Sequence, residues 1–142
     1  MISIEQVRRE NLSCIKGVMT DIDDTLSTDG NLTADAYRAM WDLHKAGYLL
    51  VVVTGRPAGW CDHIARFWPV DAVIGENGGF YFHHDGEKLI RFYLYNDAER
   101  RAFRVKLDTI REMILREVPG CAVASDQAYR EHHRRFHDAL PE

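Results

Sequence analysis

What this sequence lacks narrows its class before any motif is read. No apolar run approaches the roughly 20 residues of a membrane-spanning helix. The N-terminal stretch MISIEQVRRENL mixes acids among its bases and has no apolar centre, so no secretory signal is expected there. Cysteine is scarce and scattered: Cys14, Cys61 and Cys121 are odd in number, widely spaced, and form no metal-ligand pair. Reduced thiols and a cytoplasmic location are the expectation. A large charge of either sign is missing too. The net charge of −4 over 142 residues is too slight to suggest nucleic acid or an anionic membrane as partner. Internal repeats and low-complexity linkers are absent from the sequence. What is there, 46% hydrophobic and 28% charged residues, is the composition of a soluble globular chain. The length holds one ordinary domain, or one small domain and part of another. A domain of this size buries roughly 70% of its unfolded surface.

Carboxylates crowd together in one stretch, Lys16 to Thr25, KGVMTDIDDT. An apolar rise through Gly17, Val18 and Met19 reaches Thr20 and then meets Asp21, Asp23 and Asp24. Carboxylates this close repel by about 1 kcal/mol per pair in water, and by more where water is excluded. A cation relieves the repulsion, and an oxygen-rich site of this kind suits Mg²⁺. On an extended backbone Asp21 and Asp23 share a face. Taken alone, the cluster also reads as a polar turn after a strand. An EF-hand loop starting at Asp21 is excluded, because Leu26 stands where Gly is needed and Leu32 where Glu is.

Cys14 to Thr20 predicts a short buried strand, and STDGN (27–31) a loop. Thr33 is placed to cap a helix over 34–46, with Gly47 to stop it and Tyr37, Met40, Trp41 and His44 at helical spacing. YLLVVV (48–53) is apolar without alternation, the pattern of a parallel strand covered on both faces. It ends at Thr54-Gly55-Arg56. Pro57 then suits the first turn of a helix whose apolar face is expected from Trp60, Ile64, Phe67 and Trp68, until Pro69 ends it. DAVIG (71–75) predicts a third buried strand, running into Glu76-Asn77-Gly78-Gly79. Strand, helix, strand, helix, strand is the rhythm of an α/β fold with a parallel sheet. Ligands in such sheets sit beyond the carboxyl ends of the strands, which puts all three polar motifs on one rim.

From Phe80 the rhythm changes. Phe80-Tyr81-Phe82, a turn at His83 to Gly86, and Leu89 to Tyr95 predict a hairpin. Asn96 and Glu99 form a capping box for a helix to about Val118. Phe103, Leu107, Ile110 and Ile114 lie on one of its faces. Arg100, Arg101, Arg104 and Arg111 fall outside that set, where basic side chains are usually solvated. EHHRRFHDALPE (131–142) has neither strand alternation nor a helical face and is expected to be a frayed tail. The division expected is an α/β core over 1–82, an α+β module over 83–130 and an atypical tail over 131–142.

TDIDDT at the first strand end, TGR after the second and ENGG after the third together resemble the haloacid dehalogenase superfamily of phosphohydrolases. The likeness runs over roughly residues 16 to 130. It is nearest to the capped branch that includes sucrose-phosphate phosphatase and the Cof-like hydrolases. The resemblance implies a Rossmann-like parallel-sheet core followed by an α+β cap that looks incomplete. It implies Asp21 as the nucleophile, forming an aspartyl-phosphate, and Asp23 as general acid and then base. Mg²⁺ would be held by the Asp21 carboxylate and the Asp23 backbone carbonyl. Thr54 and Gly55 would hold the phosphoryl oxygens, with Asn77 on the same rim and Arg56 supporting the turn. The implied activity is Mg²⁺-dependent hydrolysis of a small phosphorylated metabolite, such as a sugar phosphate.

The lysine and the later acidic motif of that family have no counterpart here. Acidic strand-end motifs do not recur after Asp24, and Lys88 and Lys106 do not match the lysine position. The alternative expectation is therefore a catalytically incomplete chain that binds phosphate or Mg²⁺ weakly or needs a complementary chain. Sequence from about Glu131 onward is expected to depart from the family, as after a frameshift or truncation. The sheet is expected to keep an open edge through which chains self-associate.

Overall fold

The computed structural model of the protein describes residues 14–132 and 136–138. The first strand, β1 (Gly17–Asp21), is followed by a hairpin of two-residue strands, β2 (Ser27–Thr28) and β3 (Asn31–Leu32). Asp29 (φ 50°) and Gly30 (φ 73°) turn that hairpin. Positive φ at both central residues gives the twist that antiparallel strands need, so STDGN pairs rather than forming an open loop. Next come α1 (Ala34–Lys45), β4 (Leu49–Val53), α2 (Ala58–Phe67) and β5 (Ala72–Gly75). Thr33 caps α1 as expected, its hydroxyl accepting from Ala36 N–H at 3.2 Å.

β1, β4 and β5 run parallel, each crossover passing through a helix. The sheet does not stop there. β6 (Phe80–His84) and β7 (Leu89–Tyr93) add to it antiparallel, giving one five-stranded sheet in the order β1-β4-β5-β6-β7. The fold is α/β with a mixed sheet, not a purely parallel one. The boundary expected between residues 82 and 83 falls inside β6. The reason is packing: Phe80 and Phe82 are buried in the same cluster as Val52, Val73, Cys61 and Ile64. Burying a side chain of that size stabilises by about 1.5–3 kcal/mol, more than a separate hairpin could gain in water.

α2 covers this sheet with a face the sequence did not advertise. Ala58, Cys61, Ile64 and Ala65 are buried, whereas Trp60 and Phe67, expected in the core, are 49% and 68% exposed. Small residues let the helix lie close to the strands. A Cβ on Gly75 would run into the Phe80 ring and reach 2.7 Å from Cys61 Sγ, which shows how close the layers are.

Beyond the sheet stand α3 (Asp97–Glu117), β8 (Cys121–Val123) and β9 (Phe136–Asp138). The capping box forms: Asn96 Oδ1 accepts from Ala98 and Glu99 N–H at 3.0 Å each, and Glu99 Oε2 accepts from Asn96 N–H at 3.0 Å. The expected apolar face of α3 is not covered among the described residues. No described residue of the helix is buried, and Phe103 and Ile110 are exposed. β9 pairs antiparallel with β8, Val123 opposite Phe136, so the supposed tail contains a strand. Three residues are too few for alternation to be read, and the pairing partner decides. No described helix is long and apolar enough to cross a membrane.

Candidate active site

Asp21 ends β1 in register with Val53, the last residue of β4. Parallel pairing therefore sets Asp21 beside the turn that begins at Thr54. The next residue, Ile22, is driven into the core at 6% exposure. Its carbonyl accepts the N–H groups of Leu26 (3.0 Å) and Ser27 (2.9 Å) and the Ser27 hydroxyl (3.0 Å). That knot reverses the chain within a few residues, with Asp24 at φ 56°. Anchoring Ile22 inward leaves Asp21 and Asp23 on the solvent side of the rim.

The two carboxylates have different surroundings. The Asp21 carboxylate is exposed and bonded to none of the described residues. Asp23 meets Arg56: Nε lies 3.1 Å from each carboxylate oxygen, and Nη2 lies 2.5 Å from Oδ1. The bond to Asp23 raises the Arg56 pKa further above its ordinary value, against a smaller opposing effect of burial. With side chains 31% and 44% exposed, the pair positions more than it stabilises, contributing about 1 kcal/mol or less. Arg56 in turn stacks its guanidinium 4.5 Å from the Trp60 ring centre. This explains why Trp60 is at the surface.

Thr54 is buried at 2%. Its N–H donates to Ile74 O (2.9 Å), its carbonyl accepts from Asn77 N–H (3.2 Å), and its hydroxyl accepts from Arg56 N–H (3.1 Å). Gly55 faces the Asn77 amide so closely that a Cβ there would lie 3.1 Å from Asn77 Oδ1. Asp21, Asp23, Thr54, Gly55 and Asn77 are thus gathered at the carboxyl ends of adjacent parallel strands. Asn77 reaches that place because Glu76, Asn77 and Gly78 all adopt positive φ (46°, 57° and 98°).

Two supporting residues went unread in the sequence. Glu76 is wholly buried. Its carboxylate accepts from the N–H groups of Ala58 (3.2 Å), Glu131 (2.7 Å) and His132 (2.6 Å). It thereby ties the start of α2 to a distant segment. Arg130 donates from Nη1 to Gly55 O (2.9 Å) while Nη2 pairs with Asp126 (2.7 Å), bracing the turn from behind. Nothing local marks either role, since Glu76 acts on Ala58, Glu131 and His132, and Arg130 reaches the turn at Gly55, all far along the chain. Cys61 is no candidate nucleophile: burial, and then the nearby Glu76 carboxylate, push its thiol up to about 12.

Among the described residues, no group of three or more His, Cys, Asp or Glu could hold a metal ion. Mg²⁺ asks for less, because it usually keeps several waters and takes one or two carboxylates plus substrate phosphate. The uncommitted Asp21 carboxylate fits that role. The Asp23 carboxylate, already held by Arg56, leaves only its backbone carbonyl for a second contact.

The sequence model of the haloacid dehalogenase-like hydrolases matches residues 18–139. The chain belongs to that family. As a haloacid dehalogenase-like hydrolase it is family sequence through residue 139, which corrects the expectation that the likeness ends near Glu131. A solved structure from Thermoplasma acidophilum superposes with a TM-score of 0.65 at 19% identity, over 89% of this chain and 52% of that one. A phosphatase of the haloalkanoate enzyme superfamily from Bacteroides thetaiotaomicron gives 0.52 at 28% identity, over 78% of this chain and 40% of its own. A haloacid dehalogenase-like hydrolase from the same organism gives 0.53 at 16%, over 69% and 38%. The chain spans about half, or less, of the length of these structures. No curated protein matches it in sequence.

Proposed function

We propose that this haloacid dehalogenase-like hydrolase is a phosphomonoester hydrolase working through an aspartyl-phosphate at Asp21. One observation carries the reading: an exposed, uncommitted carboxylate at the end of β1 stands beside the Thr54-Gly55 turn, with a second carboxylate held two residues on. The phosphatase from Bacteroides thetaiotaomicron, similar over 78% of this chain, supports it.

In the first step an Asp21 oxygen bonds to phosphorus while the bond from phosphorus to the ester oxygen breaks. A protonated Asp23 supplies the proton that the leaving oxygen takes. Before that, Asp23 exchanges its contact with Arg56 for one with the substrate. In the second step the Asp23 carboxylate removes a proton from water, whose oxygen attacks phosphorus, releasing phosphate and restoring Asp21. The Thr54 side chain, the Gly55 N–H and the Asn77 amide stabilise the equatorial oxygens, over which charge spreads in the transition state. Mg²⁺ would be held by the Asp21 carboxylate and the Asp23 carbonyl, screening the approach of one anion to another.

The substrate class is a small phosphorylated metabolite such as a sugar phosphate, and a chain with only three scattered cysteines suits a cytoplasmic location. We further expect self-association through the β1 edge of the sheet. The deciding assay is turnover of a generic aryl phosphate with and without Mg²⁺. Activity that requires Mg²⁺ and disappears in Asp21→Asn is the expected result. Equal turnover by Asp21→Asn removes the proposal.

A further inference from the structure

Behind Asn77 opens a pocket of about 470 Å³, walled by Asn77 and Gly78 on one side and by Arg100, Phe103, Arg104 and Lys106 of α3 on the other. Asn77 is a shared wall: its backbone N–H binds Thr54 O, and its amide lies against Gly55. The pocket therefore begins where the phosphoryl site ends. Its charges are unevenly compensated. Of the two acidic residues at its border, Glu76 already accepts three backbone N–H groups. Glu131 faces Arg100, with Oε2 3.6 Å from Nη1. Arg100 is fixed by stacking 3.6 Å from the Tyr93 ring centre, yet its Nε and Nη1 are shielded from solvent without a hydrogen bond among the described residues. Arg104 and Lys106 form no ion pair with any described residue. Two cations without an ion pair among the described residues share one concave wall with Arg100, whose Nη2 also lies 3.5 Å from Asp97 Oδ1. On an open helix face such cations would be solvated and unremarkable, whereas a concave wall focuses their field.

We propose that this pocket receives a second anionic group of the substrate, a carboxylate or a further phosphate, and that Arg104 and Lys106 recognise it. The substrate class is then a phosphomonoester whose leaving alcohol itself carries negative charge. The proposal rests on the phosphatase reading for what occupies Asp21, and the test separates the two.

Two matched pairs are compared: 3-phosphoglycerate with glycerol 3-phosphate, and fructose 1,6-bisphosphate with fructose 6-phosphate. Binding to Asp21→Asn protein is measured by calorimetry, and turnover by the unsubstituted chain. The expected result is about tenfold tighter binding of the doubly anionic member of at least one pair, shrinking as salt is raised. The carboxylate pair and the bisphosphate pair report separately on which anion is preferred. Arg104→Ala with Lys106→Ala brings the ratio close to one. Arg101→Ala, a basic position on the same helix outside the pocket, leaves the ratio as it was. Equal binding within both pairs, or a ratio that survives the double substitution, overturns the proposal. Preferential binding by a chain that also fails to turn over the generic aryl phosphate removes the phosphatase reading and leaves the anion pocket standing.

Discussion

Glu76 holds the site's frame from a position with no solvent exposure, in a backbone conformation that non-glycine residues rarely adopt (φ 46°). Three N–H groups converge on its carboxylate, so both oxygens work as acceptors. Glu76→Gln keeps one acceptor and turns the other into a donor facing donors. A loss of about 1–3 kcal/mol in urea unfolding is expected, and an unchanged midpoint would show that the carboxylate is dispensable. The residues that do chemistry and those that hold them differ in how they can be read. Asp21, Asp23, Thr54, Gly55 and Asn77 sit in short motifs at strand ends, where residue type and position suffice. Glu76 is recognised only through Ala58, 18 positions away, and through Glu131 and His132, more than fifty positions away. Nothing about a lone glutamate predicts such partners.

At the scale of elements, α2 is the clearest case of tertiary override. Its aromatic spacing pointed to Trp60 and Phe67 as the inner face, but the sheet accepted the small residues Ala58, Cys61 and Ala65. Asp62 on the outer flank of α2 clamps the helix to the sheet, bonding Arg66 of its own helix and Arg91 of β7 (2.9 Å). The Arg66 hydrogen bond, more than the Arg91 one, holds the Asp62 carboxyl below its usual range. A depressed folded-state pKa adds stability that is present above the unfolded value, about 3.9, and is lost as pH falls through the folded one. Asp62→Asn should therefore destabilise by about 0.5 kcal/mol at neutral pH, a modest figure because the pair is partly exposed. The gap between variant and parent should close as pH drops below about 4. Thermal melts at pH 7 and pH 3 measure it, and a gap that is independent of pH would refute the electrostatic account.

For the whole molecule, the sheet has β1 at one end, the same strand that carries Asp21. Met19 on β1 is 66% exposed and Leu49 beside it 56%. An edge strand of this kind invites pairing with another chain. Light scattering after size exclusion is expected to find species above the monomer mass that grow with concentration. Met19→Lys should diminish them by placing a charge on the edge strand. A monomer at every concentration would count against the expectation.

The alternation of apolar runs and helices determined, by itself, that three parallel strands would present their polar ends on one rim. Hydrophobic periodicity and capping chemistry are local properties, which any reading of the chain in order can recover. Tertiary structure alone decided that the 80–93 hairpin joins that sheet, that a small-residue face of α2 lies against it, and that Glu131 and His132 fold back onto Glu76. Each of those outcomes is a competition among surfaces and partners far apart in the chain. Such competitions are settled by packing density and by the need to satisfy buried charge, and neither is written at any single position.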